Sequence, residues 1–306
     1  MLSKSFLLFF FLACALCSFS QVETDTFKNS VADSEIKILE DTLVILGYAM
    51  INDSSEINRF ASCQKFIRLL VKALKNENSF DYPFQRLKTV SILYPPDSTF
   101  RIFSWQVYDD INHYHYYGSI QMNEPQLKMF PLIDRSEQIS DPESALLEPS
   151  NWYGQLYYNI RSFESAAGKT YLLFGYDAYR FFTKRKLAEP LIFKNGTPVF
   201  GAPVFEKNEN GETRTVNRLV FEYSSDAKFK LNYDENQDMV LFDHLIPMGS
   251  PYPGQELMFV PDGDVDGYYL DDKIWKFKAR VFDQILDEAP RPQPVLGEKK
   301  DLFGKE

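Results

Sequence analysis

The chain has 306 residues, with 33 Lys+Arg against 43 Asp+Glu and a formal net charge of −10. Its 44% hydrophobic and 25% charged residues suit a folding chain, for which roughly 45–50% and about 25% are usual, and exclude wholesale disorder. The acidic balance, without any Lys/Arg block, argues against a grip on a nucleic-acid backbone.

Residues 1–20 read as a secretory signal peptide. Lys4 supplies the positive end, Phe6 to Leu16 the apolar run, and Ser18 and Ser20 the small residues before a cut at Gln21. The run falls short of the about 20 apolar residues that a membrane span needs. A less favoured reading is lipidation at Cys14, which Phe11-Leu12-Ala13 precedes. The expected location is therefore secreted or periplasmic, in a Gram-negative cell envelope, with no transmembrane segment after cleavage. Residues 21–32 follow as a flexible lead. Of the 3 cysteines, Cys14 and Cys17 leave with the leader. Cys63 is left alone on an apolar helix face, where a buried, inert thiol is expected rather than a nucleophile.

Residues 33–80 read as a helical hairpin. Ile36, Leu39, Leu43, Leu46 and Met50 recur in steps of three and four, as do Phe60, Cys63, Ile67, Leu70 and Leu74. From 81 to 286 the period changes to two, with strands expected from Lys88–Tyr94 onward to Ile274–Phe282. The turns between them include Asn195-Gly196, Asn210-Gly211 and Asp262-Gly263. No helix-length segment separates consecutive strands, so the sheets should be antiparallel. The expected class is α+β, predominantly β: a helical hairpin packed on an antiparallel meander. A turn-strand-aromatic pattern recurs near Trp105, Tyr176, Tyr233 and Trp275 and suggests a propeller-like arrangement, with a β-sandwich or curled open sheet as the alternative. Residues 287–306, with Pro290, Pro292 and Pro294, read as a flexible tail.

Several blocks stand out as signatures: Ser79-Phe80-Asp81-Tyr82-Pro83-Phe84, Phe100-Arg101-Ile102-Phe103-Ser104-Trp105, Pro198 to Phe205, Phe242-Asp243-His244-Leu245, and Pro261-Asp262-Gly263. Together they resemble a group of uncharacterised exported proteins of Gram-negative bacteria. The resemblance implies an envelope location and one architectural unit. It implies no activity.

Asp262, Asp264 and Asp266 place carboxylates at alternate positions around Gly263 and Gly267, a pattern that can wrap oxygen ligands around Ca²⁺. The twelfth position of a complete calcium loop is Lys273, so a helix–loop–helix site is excluded, leaving a β-loop calcium site or a solvated Asp/Gly hairpin. Asp234, Asn236 and Asp238 repeat the spacing more weakly. His113 and His115 would share one face of a strand, with His244 beside Asp243 the remaining histidine for a zinc site. Asn195 fits a type I′ turn better than a glycosylation acceptor. Trp105, Trp152 and Trp275 are candidates for an aromatic binding surface. No catalytic constellation can be assigned. The expected function is a non-enzymatic exported scaffold or binding module with an envelope protein or glycan partner. The alternative is a hydrolase or lyase acting on envelope or extracellular glycans.

Overall fold

Ile36, Leu43 and Met50 are fully buried at intervals of seven along the first helix, α1 (34–52). Cys63, Phe66, Leu70, Ala73 and Leu74 do the same for α2 (Glu56–Leu74). The computed structural model describes residues 34–110, 113–209, 211–249 and 257–282. The leader, the segment 21–32, Asn210 and the tail 287–306 lie outside them.

Fifteen strands follow, numbered here in chain order, and they form three sheets. The first runs β1 (Ser91–Leu93), β2 (Phe100–Asp110), β3 (His113–Met122) and β4 (Met129–Ile133) as a simple meander. The second places β11 (Leu219–Ser224), β7 (Thr183–Lys194), β6 (Gly168–Asp177) and β5 (Leu156–Ser165) side by side, with β8 (Thr197–Phe200) also on β7. The third runs β10 (Glu212–Val216), β9 (Phe205–Glu209), β15 (Ile274–Lys278), β14 (Met258–Asp271), β13 (Met239–Met248) and β12 (Leu231–Asp234). Among the described strands every pairing is antiparallel except one short parallel contact, Trp275 opposite Phe205. The Asn195-Gly196 turn between β7 and β8 has φ of 52° and 77°, both left-handed, as a type I′ hairpin requires.

Side-chain alternation stacks these layers. On β2, Phe103, Trp105 and Val107 face the helices, while Phe100 and Ile102 face the second sheet. On β6, Tyr171 and Leu173 join that same core, and Leu172 and Phe174 turn to the third sheet. The order is helices, first sheet, second sheet, third sheet, with a separate apolar core in each gap. The α+β, mostly β architecture is thus as expected. Closure into a propeller is not shown: the sheets are open, and the outer two share no core among the described residues. Repeated hairpins produce the sequence periodicity in either case, because it reports local turns and not how sheets are placed.

Polar clasps tie the layers together. The buried Glu40 of α1 accepts hydrogen bonds from the Tyr82 hydroxyl at 2.7 Å and the Arg86 amide at 3.0 Å. Asp97, in the β1–β2 turn, accepts from Thr99 of its own sheet and from the Tyr171 hydroxyl of the second sheet at 2.8 Å, and pairs with Lys169. Partial burial raises the Asp97 carboxyl, but Lys169, Tyr171 and Thr99 outweigh it and bring it to about 2. A depressed carboxyl adds stability that is complete above its unfolded value near 4 and is lost as pH falls through its folded value. Asp97→Asn is therefore expected to cost about 1 kcal/mol at pH 7, discounted for solvent at the sheet edge. The difference from wild type should shrink to a small fraction of that at pH 2, which urea unfolding at the two pH values measures.

Candidate functional site

The three tryptophans do not form an exposed aromatic surface. Trp152 is wholly buried in the core between the first two sheets, donating Nε1–H to the Tyr157 hydroxyl at 2.8 Å. Trp105 is buried under the helices, stacked on Tyr117, with its Nε1 3.5 Å from the Cys63 sulfur. Burial pushes the Cys63 thiol up, in keeping with an inert cysteine. Their large ring areas favour the interior, and the alternation of β2 points Trp105 inward. Trp275 is also buried, at 3% exposure, but it borders a cleft.

Asp262, Asp264 and Asp266 are not in a hairpin turn either. They lie within the 14-residue strand β14, at a bulge where Asp243 still pairs with Val265 but Leu245 pairs with Pro261. His244 sits alone opposite the extra residues. Its Nδ1 is 2.7 Å from Asp266 Oδ2, and its Nε2 is 4.0 Å from Asp262 Oδ2. The Arg280 amide donates to Asp266 Oδ1 at 2.9 Å, and its guanidinium meets Asp264 at 3.0 Å. The Asp266 hydrogen bond, with the charges of Asp262 and Asp264 behind it, holds His244 above its ordinary pKa despite slight desolvation. These carboxylates are cross-linked by two basic side chains, His244 and Arg280. His113 and His115 do share a strand face, but the side chain they meet is Asp109 on the neighbouring strand. His244 belongs to another sheet.

The cleft at Trp275 opens where the β5 edge of the second sheet meets the third sheet. It holds about 350 Å³ and is lined by Arg161, Phe163 and Glu164 of β5, Tyr233 and Asp238 beside the β12–β13 turn, and Trp275 of β15. Phe163 and Tyr233 both stand edge-on to the Trp275 ring, at 5.4 and 6.4 Å between centroids. The Arg161 guanidinium lies over Tyr233 at 5.0 Å and pairs with Glu235. The Tyr233 hydroxyl donates to Asp238. Desolvation and that neighbouring carboxylate raise the Tyr233 hydroxyl to about 12, so it stays a donor at neutral pH. Two buried N–H groups here have no acceptor among the described residues: Trp275 Nε1 and Arg161 Nε. Buried donors are nearly always satisfied, and these two unpaired ones belong to residues that line one cleft. At the small end of the usual 300–1,000 Å³ or so for ligand pockets, the space suits one ring-sized unit.

Nothing local in the sequence announces this cleft. Arg161, Tyr233 and Trp275 come from three hairpins and meet only because the second and third sheets stack. The strand that carries Trp275 was legible; its burial at a sheet margin was not. No protein-family model, curated protein or solved structure matches the chain.

Proposed function

We propose that the protein is an exported, non-enzymatic binding module of the cell envelope whose Trp275 cleft takes one neutral sugar unit of a glycan. The carrying observation is a small cleft beside the rings of Phe163, Tyr233 and Trp275, whose lining residues include two with an unpaired buried donor, Trp275 Nε1 and Arg161 Nε. Sugars offer what that wall lacks: hydroxyl oxygens to accept from the donors and C–H faces to pack on rings. The lining carries two acids, Glu164 and Asp238, against the single cation Arg161, which Glu235 already engages. That balance disfavours an anionic ligand. Both acids are solvent-exposed, and neither sits in the desolvated setting that makes a carboxyl group a proton donor in glycoside hydrolysis. This supports binding over the hydrolase alternative. The leader-like residues 1–20 and the resemblance to exported proteins support the location.

The test is capture of neutral oligosaccharides on a glycan array by the purified protein. Trp275→Phe keeps a ring and deletes the N–H, and is expected to weaken binding roughly 2–10-fold, the worth of one hydrogen bond. Bound sugar should be recovered intact. An array that captures nothing, or capture unchanged by both Trp275→Phe and Arg161→Met, would refute the reading. Glycan cleavage would move it to the hydrolase. Fractionation with N-terminal sequencing tests export, and an uncut chain in the cytosol would refute it.

A further inference from the structure

At the opposite side of the first sheet, facing the helices, β2 and β3 bring together a second set of chemically active groups. Regular alternation puts His113 and His115 on one face of β3. The β2–β3 register slips between Tyr108 and Asp110, so that Asp110 pairs with His113 and Asp109 is the extra residue. Bulges re-aim side chains, and this one brings Asp109 to both histidines. Asp109 Oδ2 lies 2.6 Å from His113 Nδ1 and 2.7 Å from His115 Nε2. The two imidazole rings stand perpendicular at 4.5 Å.

The surroundings hold this geometry from outside. The Arg59 side chain of α2 donates to the Tyr108 carbonyl at 2.8 Å and reaches the Asp109 carbonyl at 3.5 Å, which pins the bulged backbone. Phe60 packs edge-on against His115 at 5.2 Å. The far nitrogen of His113, Nε2, meets Glu137 Oε1 at 2.7 Å. A carboxylate on the nitrogen remote from a ligating one is the usual outer partner of a metal-bound histidine, because it fixes the ring and raises its basicity.

We propose that Asp109, His113 and His115 bind one divalent transition ion, Zn²⁺ by preference, with Glu137 positioning His113. Two imidazoles and a carboxylate form a donor set that suits Zn²⁺ and not the all-oxygen cages of Ca²⁺ or Mg²⁺. The three donor atoms lie within 4.8 Å of one another. Around a tetrahedral ion with bonds of about 2.0–2.1 Å, donor atoms stand roughly 3.3 Å apart. The present spacings of 2.6 and 2.7 Å are hydrogen-bond lengths, so entry of the ion replaces shared protons and spreads the groups by under an ångström. The His113 and His115 side chains are 37% and 41% exposed, which leaves an approach for the ion and room for water as fourth ligand.

Calorimetric titration of ZnSO₄ into the chelator-treated protein, paired with Co²⁺ absorption spectra, tests this. One equivalent should bind, and Co²⁺ should show the intense visible bands of a four-coordinate site. His115→Ala and Asp109→Asn should abolish both signals, and His244→Ala should change neither. Glu137→Gln, at a largely exposed side chain that does not endanger folding, should weaken Zn²⁺ binding about 10–100-fold. Failure of the wild type to bind micromolar Zn²⁺, or full binding by His115→Ala and Glu137→Gln, would overturn the proposal. The cleft at Trp275 has no part in this result.

Discussion

Replacing Arg218 with methionine is expected to destabilise the protein by about 3–5 kcal/mol, the usual consequence of leaving a buried charge without its partner. Arg218 and Glu189 form an ion pair at 2.6 Å in which both side chains are wholly inaccessible to water. Glu189 Oε2 also accepts from Gln155 Nε2 at 2.8 Å and from the Tyr157 hydroxyl at 2.6 Å. Arg218 in turn donates to the carbonyls of Pro142 and Ala145, anchoring the 142–145 segment to the second sheet. Deleting the guanidinium leaves a buried anion with only the neutral donors of Gln155 and Tyr157. For a chain of 306 residues the loss corresponds to a fall in Tm of roughly 5–8 °C. The double variant Arg218→Met/Glu189→Leu removes both charges and should regain much of the loss, since a matched apolar pair often replaces a buried ion pair without penalty. Urea unfolding of the two single variants and the double variant measures the coupling. Additive single effects would show that the pair does not act as a unit.

The second large effect is expected at Arg101, where lysine is not a conservative change. The Arg101 guanidinium is fully buried and donates to Gln121 Oε1, the Tyr82 carbonyl, the Tyr94 hydroxyl and the Ser79 carbonyl, at 2.6–2.8 Å. Four rings surround it, Phe80, Phe84, Tyr94 and Phe103, with centroids 4.8–5.8 Å from Cζ. Desolvation lowers its pKa, though not toward neutrality in a residue this basic. A lysine keeps the charge, but its single compact ammonium cannot span four acceptors fixed around a planar fork. Each buried acceptor left unpaired costs about 1–3 kcal/mol, so Arg101→Lys should lose about 2–4 kcal/mol in denaturant unfolding. Tyr94→Phe, which removes one of the four partners, should lose less. A loss under about 0.5 kcal/mol for Arg101→Lys would put it in the range of ordinary surface substitutions and sink this account.

Much of the architecture was readable from periodicity. Both helical stripes pack on the core where their spacing put them, with Leu39, Leu46, Phe60 and Ile67 partly buried at its margin. Short strands escaped notice because they carry too few residues for a period to register: Met129–Ile133, Thr197–Phe200, and the polar hairpin strands Phe205–Glu209 and Glu212–Val216. Asp262-Gly263 looked like a turn because Asp and Gly favour left-handed backbone, and Gly263 does have φ of 103°; the strand absorbs it as a bulge. The site residues were less legible for a different reason. The pairing of His113 with His115 follows from alternation alone, whereas Asp109 joins them through a register slip that no composition rule foretells. Arg161 and Trp275 are more than a hundred positions apart, and only the stacking of sheets brings them together.

The middle sheet is covered on both faces along β6. Alternate residues of β6 lend themselves to the layer above and the layer below, so a change of volume at Leu172 or Leu173 disturbs a different neighbour but never none. The two ends of the stack are under no such double obligation. Sequence drift should therefore be most restricted at the centre of the molecule and freest in the helical pair and the outermost strands. Grafted loops or replacement helices would find their safest footing there.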